Sequence, residues 1–220
     1  PAYIAADAKV KRAVNDIILS KSFDNGMICA SEQAAIVDAA IYDEVKAEFE
    51  AHQCVIISKK ADIAKLEKVV LNEARTAVNG AIVGHSAIEI AEKAGLKVPA
   101  GTKLLLAEIP DATMEHPLAL EKLSPVLALI KSDGVEDGFK KAEGMLNLGG
   151  IGHTAVIHTE NEELQLQCGI RMKACRVLVN SPSAEGGIGN IYNNMIPSLT
   201  LGCGSHGHNS ISHNVSSFDL

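Results

Sequence analysis

Tryptophan is absent from this 220-residue chain, and aromatic residues make up only 3% of it. A core built on aromatic packing is therefore excluded, and the core must be aliphatic. Basic charge is also scarce: 20 Lys and Arg stand against 27 Asp and Glu, a net charge of −7. That balance argues against nucleic acid as a partner, which calls for a basic face. No apolar run approaches the ~18 residues of a membrane-spanning helix, and Pro1-Ala2-Tyr3-Ile4 is no secretory leader. The five cysteines, Cys29, Cys54, Cys168, Cys175 and Cys203, are odd in number and never spaced C-x-x-C. A disulfide framework and a four-cysteine zinc site are both excluded on that pattern. Reduced thiols and a cytoplasmic location are the expectation.

What is present is 47% hydrophobic sequence, enough for a full core without staples. Apolar runs and amphipathic stretches alternate along it. Gln33–Val37, Val55–Ile57, Leu104–Leu106, Val126–Ile130, Ala155–Ile157 and Val177–Val179 read as strands. Helices are expected between them, marked by Val10/Val14/Ile17/Ile18, Ile41/Val45/Phe49 and Val135/Phe139/Ala142/Leu146. One long helix is expected from Ile63 through Leu66, Val70, Ala74 and Ala77 to Ala81, and a short one over Ser86–Ala94 ended by Gly95. Asp7, the Asp133/Glu136 pair and the Thr159/Glu162 pair are expected helix caps. This alternation predicts an α/β fold with a mainly parallel sheet covered by helices on both faces. It reads as a single domain over residues 1–220, with a loop-rich segment from 181 to 220 and a mobile glycine loop over Ser181–Asn190.

The chemistry centres on Ser22-Phe23-Asp24-Asn25-Gly26-Met27-Ile28-Cys29-Ala30-Ser31-Glu32-Gln33. A cysteine just beyond a glycine turn can present its sulfur to a cleft, and only its thiolate is a good nucleophile. The site must therefore lower the thiol pKa, and backbone N–H groups of the turn are the candidates for doing so. The bland alternative is a small buried hydrophobe. Glu121, in Glu121-Lys122-Leu123-Ser124-Pro125, offers an acceptor-only carboxylate suited to vicinal hydroxyls; its alternative is a solvated side chain before a strand. His153, in Gly149-Gly150-Ile151-Gly152-His153-Thr154, suits a polar contact to substrate, or else a packing role. Gly202-Cys203-Gly204-Ser205-His206-Gly207 fits G-x-G-x-x-G formally, but only 13 residues follow, too few for a dinucleotide-binding helix and its acidic partner. His206, His208 and His213 cluster in sequence, and adventitious metal is all they are expected to hold.

These segments resemble the aldehyde dehydrogenase superfamily. The first is similar to its nucleophile segment, Phe-x-Asn-x-Gly-x-x-Cys, with Gly26 one place early. Its wording resembles the CoA-acylating branch, most closely the aldehyde half of the bifunctional aldehyde-alcohol dehydrogenases. The second resembles Glu-x-Phe-x-Pro, with Leu123 in the Phe place. The tail departs: relatives carry Trp-Gly-Gly-Asn, and here His206 and His208 replace the Trp and a Gly, Asn209 keeps the last place, and His213 stands where Glu is common. That departure argues against a family metal site, so no metal is expected in this domain.

The resemblance implies Cys29 as nucleophile and Glu121 with Leu123 at the nicotinamide ribose. It places Asn25, His153, Gly204 and Ser205 near the acyl group or CoA. It implies NAD as cofactor, bound mainly by a preceding domain, CoA as co-substrate, and acetaldehyde and acetyl-CoA as the interconverted pair. It also implies a homo-oligomer that is filamentous in full-length relatives. The matching region begins just ahead of the cysteine helix and the chain starts without Met, so an excised piece, inactive alone, is the expectation. The competing readings are a hydrolytic aldehyde dehydrogenase and a non-catalytic oligomerisation scaffold.

Overall fold

Seven short aliphatic runs form the strands: β1 (Ala2–Ile4), β2 (Ala34–Asp38), β3 (Cys54–Ile57), β4 (Leu104–Glu108), β5 (Val126–Ser132), β6 (Gly152–His158) and β7 (Ala174–Val179). A computed structural model describes residues 1–219. The strands make one sheet in the order β3-β4-β5-β2-β1-β6-β7, and every pairing is parallel. The helices are α1 (Val10–Ser22), α2 (Tyr42–Ala51), α3 (Lys60–Val70), α4 (Ala87–Lys93), α5 (Gly134–Met145), α6 (Glu162–Arg171) and α7 (Ser183–Ile188). A π-helical turn, Leu146–Gly150, continues α5.

Parallel strands need long crossovers, and the crossover helices cover both faces. One face buries Ile4, Val37, Leu127 and Leu129 against Val14 and Ile17 of α1 and Phe49 of α2. The other buries Tyr3, Ile36, Ile130 and Ile157 against Phe139, Ala142 and Met145 of α5. Each such side chain contributes about 1.5–3 kcal/mol on full burial, which lets the core dispense with tryptophan. α3 and α4 cover Leu105 and Ala107 at the β3–β4 end. The expected α/β class and two-sided cover are observed, with β1 added to the strands read from the sequence.

Several local expectations are corrected. The long helix ends at Val70. Asn72 accepts the N–H groups of Thr76 and Ala77 through its side chain, Arg75 turns left-handed (φ 57°), and Leu71 bridges back to Val78. The Asn side chain here competes with the helical backbone, as such residues do. Asp7 does not cap α1; its carboxylate accepts from Thr159 Oγ1 and the Glu160 N–H. Thr159 is thereby occupied, and Asn161 caps α6 instead. At α5, Asp133 provides no side-chain cap, and Asp137 accepts the Asp133 N–H. The expected mobile glycine loop contains α7, with Ser183, Ala184, Gly186 and Gly187 all buried.

Candidate active site

After Ser22 the chain leaves α1 through three successive left-handed residues: Asp24 (φ 50°), Asn25 (φ 49°) and Gly26 (φ 72°). Asp and Asn tolerate this region better than other side chains, while Gly adopts it freely. Gly26 is further constrained by contact, because a Cβ there would lie 2.5 Å from the Ser124 carbonyl oxygen and 3.0 Å from that of Lys21. The turn is thus pressed against the Glu121–Ser124 segment. Gly84 ties the two together: Asn25 Nδ2 donates to its carbonyl (2.9 Å), and its N–H donates to the Leu123 carbonyl (3.4 Å).

Cys29 emerges beside this clamp and is exposed. It shares with Glu121 and His153 the lining of a cavity of about 110 Å³, together with Thr154, Ser183 and Leu120. That volume is below the ~300–1,000 Å³ of drug-sized ligand sites. The three residues precede or begin β2, β5 and β6, so they meet at the amino ends of parallel strands. Ligands of open parallel sheets ordinarily sit at the carboxyl ends.

Asn25 and Leu123 lie outside the lining, in the clamp behind it. Gly204 and Ser205 also lie outside it. They sit on a turn packed over the first residue of β6, where a Cβ on Gly152 would lie 2.2 Å from the Cys203 carbonyl oxygen. Among the described residues no group of His, Cys, Asp and Glu converges as metal ligands, and His213 pairs with Asp219 at 2.8 Å.

The thiol is not pre-activated in this chain. Desolvation around the sulfur, and then the Glu121 charge, push its pKa above the ordinary value, against the Cys29 and Ala30 N–H groups and Arg176, which pull it down. The turn N–H groups therefore do favour the thiolate, as the sequence suggests, but they are outweighed. His153 is held neutral: burial, then the Arg176 charge, lower its pKa to about 4.

Sequence reasoning missed the buried charges around this cavity. Lys122 is fully buried and donates to three carbonyls, of Gln33 (3.0 Å), Leu118 (2.6 Å) and Leu120 (2.7 Å). Lys21, also fully buried, donates to Ser31 Oγ (3.3 Å) and Gln33 Oε1 (3.2 Å). Glu32 accepts from Ser20 Oγ and from the Ser183 N–H (3.0 Å), which fixes α7 to α1. Burial raises the Glu32 carboxyl to about 7 and lowers the Lys21 ammonium to about 8. One signal was available: Lys21 continues the buried α1 stripe of Val10, Val14 and Ile17, at helical spacing.

No family model matches the chain. It is 49% identical over 227 aligned residues to the aldehyde-alcohol dehydrogenase of Streptococcus pneumoniae, covering 100% of this chain and 26% of that protein. It is 44% identical over 219 residues to the bifunctional aldehyde-alcohol dehydrogenase of Escherichia coli, covering 98% and 24%. The crystal structure of an acetylating aldehyde dehydrogenase from Geobacillus thermoglucosidasius superimposes with a TM-score of 0.93 at 40% identity, over 98% of this chain and 47% of that one. The chain therefore spans about a quarter of the curated relatives and about half of that solved enzyme. On this likeness of sequence and fold, the chain belongs to the aldehyde dehydrogenase superfamily, on its acylating branch.

Proposed function

We propose that this chain is the cysteine-bearing catalytic domain of a CoA-acylating aldehyde dehydrogenase that interconverts an aldehyde such as acetaldehyde, with CoA, and the acyl-CoA. The observation that carries the reading is the meeting of Cys29, Glu121 and His153, from three distant segments, in one small cavity. We place the domain within a longer cytoplasmic, oligomeric protein whose other parts bind most of the nucleotide and contain an alcohol dehydrogenase half.

Cys29 Sγ attacks the aldehyde carbon, and the carbonyl π pair moves to oxygen. The thiol proton is released, and the N–H groups of Cys29 and Ala30 lie where they favour negative charge. Glu121 fits a ribose diol, because its exposed carboxylate stands at the cavity rim and only accepts hydrogen bonds. A bound nicotinamide supplies the hydride acceptor. Cys29 then holds the acyl group as a thioester, and attack by the CoA thiol regenerates the Cys29 thiolate and gives the acyl-CoA. Neutral His153 lines the same space as the acyl oxygen.

The half-reaction with CoA needs no nicotinamide, so the chain can be tested as it stands. Incubation with acetyl-CoA, followed by peptide mass mapping, is expected to place an acetyl group on Cys29 and release free CoA thiol, with no NADH formed from aldehyde, CoA and NAD. Acetylation no greater at Cys29 than at Cys175 or Cys203 would overturn the reading. Release of the trapped acyl group by water as fast as by CoA would favour the hydrolytic alternative.

A further inference from the structure

Arg176 is a buried cation near the cavity that sequence and mechanism leave unused. It lies on β7 opposite Thr154 on β6 and is 2% exposed. Its Nε donates to Thr154 Oγ1 (3.1 Å), and its Nη2 donates to the carbonyls of His153 (3.0 Å) and Gly202 (2.8 Å). Its Nη1 is buried without a partner. Among the described residues no carboxylate forms an ion pair with it, so a permanently charged guanidinium is held by neutral acceptors alone.

The proton count at Thr154 has a consequence for His153. A guanidinium only donates, so Thr154 Oγ1 must accept from Arg176. Its own hydrogen remains to be placed in a buried site, and His153 Nδ1 lies 2.9 Å away. Among the described residues no other acceptor is within hydrogen-bond reach of that hydroxyl. Donation of that hydrogen to Nδ1 leaves a neutral ring that carries its proton on Nε2.

We propose that Arg176 is a positioning residue: acting through Thr154, it holds His153 as the neutral Nε2–H tautomer, so that the ring offers a hydrogen-bond donor to the oxygen of an acyl group on Cys29 and not a base. The donor role rests on the function proposed above; the tautomer does not. Burial and the Arg176 charge both disfavour the imidazolium, in agreement with this assignment.

The test is two-bond ¹⁵N–¹H correlation spectroscopy on the histidine-labelled chain, which reads each tautomer directly. His153 is expected as Nε2–H, and it should stay neutral as pH falls past the ordinary histidine value of about 6.5. Thr154→Val keeps the side-chain shape and removes the donor, and the Nδ1–H population should rise several-fold. Arg176→Gln removes the charge, and the His153 titration should move up toward the ordinary value. Cys29→Ala should abolish acyl transfer and leave the tautomer unchanged, so failure of the enzymatic reading is seen separately. A wild-type Nδ1–H tautomer, or a ring unmoved by both Thr154→Val and Arg176→Gln, would overturn the proposal.

Discussion

Replacing Gly26 with alanine tests the clamp that presents Cys29. Two costs arise. An L side chain held at φ 72° loses about 1–2 kcal/mol. The new Cβ would sit 2.5 Å from the Ser124 carbonyl oxygen and 3.0 Å from that of Lys21. Both are backbone atoms, so relief requires moving the Glu121–Ser124 segment or the end of α1, and overpacking of this kind costs about 1–3 kcal/mol. Reduced freedom of the unfolded chain returns about 0.4–1 kcal/mol. The net expectation is a loss of about 1–5 kcal/mol. Urea unfolding followed by far-ultraviolet circular dichroism measures it, since no tryptophan reports on the core. Gly169 supplies the control: it is exposed on α6, and a Cβ there meets nothing within 4 Å. Gly169→Ala should stabilise by about 0.5–1 kcal/mol through helix propensity. An unchanged midpoint and slope for Gly26→Ala, or shifts of one sign at both glycines, would refute the reasoning.

Glu121→Gln removes the carboxylate that helps to hold the Cys29 thiol up, so alkylation of Cys29 near neutral pH should speed up relative to Cys54 and Cys168, measured by mass spectrometry. Asn25→Ala loses the bond to Gly84 and a residue tolerant of the left-handed region; a loss of about 1–2 kcal/mol is expected in the same urea assay. Glu32 gives a pH signature. Its folded value of about 7 stands above the ordinary 4.5, so its contribution is fully present below pH 4.5 and is lost as pH rises through 7. The decline is on the order of 3 kcal/mol, and Glu32→Gln should flatten it in melting curves across that window. Lys21 shifts the other way, from 10.5 to about 8, so its contribution is present above pH 10.5 and lost as pH falls through 8. The two windows do not overlap, and Lys21 leaves the acid limb to Glu32.

The strands were legible because parallel strands buried on both faces read as continuous aliphatic runs, as in Leu104–Leu106 and Val126–Ile130. β1 was not, because three residues beside a proline carry no period. Helix boundaries failed where side chains chose other partners: Asp7 went to Thr159 and Glu160, and Asn72 folded its own turn. Ala74, Ala77 and Ala81 continue the apolar side of α3 at near-helical spacing, which suggested a longer helix, and the turn built by Asn72 overrode it. Cys29, Glu121 and His153 were legible individually, each beside a glycine or proline that marks a bend. Their convergence was not, since it depends on the order in which β2, β5 and β6 enter the sheet. The thiol pKa was unreadable for the same reason: Glu121 and Arg176 lie 92 and 147 residues beyond Cys29 in sequence.

The placement of buried charge separates this edge of the sheet from the rest. Six residues of charged type are buried among the described residues: Asp16, Lys21, Glu32, Asp38, Lys122 and Arg176. Four of them, Lys21, Glu32, Lys122 and Arg176, line the Cys29 cavity or hydrogen-bond to a residue that does. An unpaired buried charge is costly, and a core built for stability alone would replace these groups with aliphatic side chains at little loss. Three are cations, and two of those, Lys122 and Arg176, are satisfied mainly by neutral carbonyls. Burial pushes the Lys122 ammonium well below its ordinary value, so the charge near Cys29 that favours a thiolate is that of Arg176. Arg176 opposes the desolvation and the Glu121 charge that together hold the Cys29 thiol up. Among the described residues only Asp16 and Asp38 are buried charged residues that neither line this cavity nor bond to its lining, so buried charge is concentrated around Cys29.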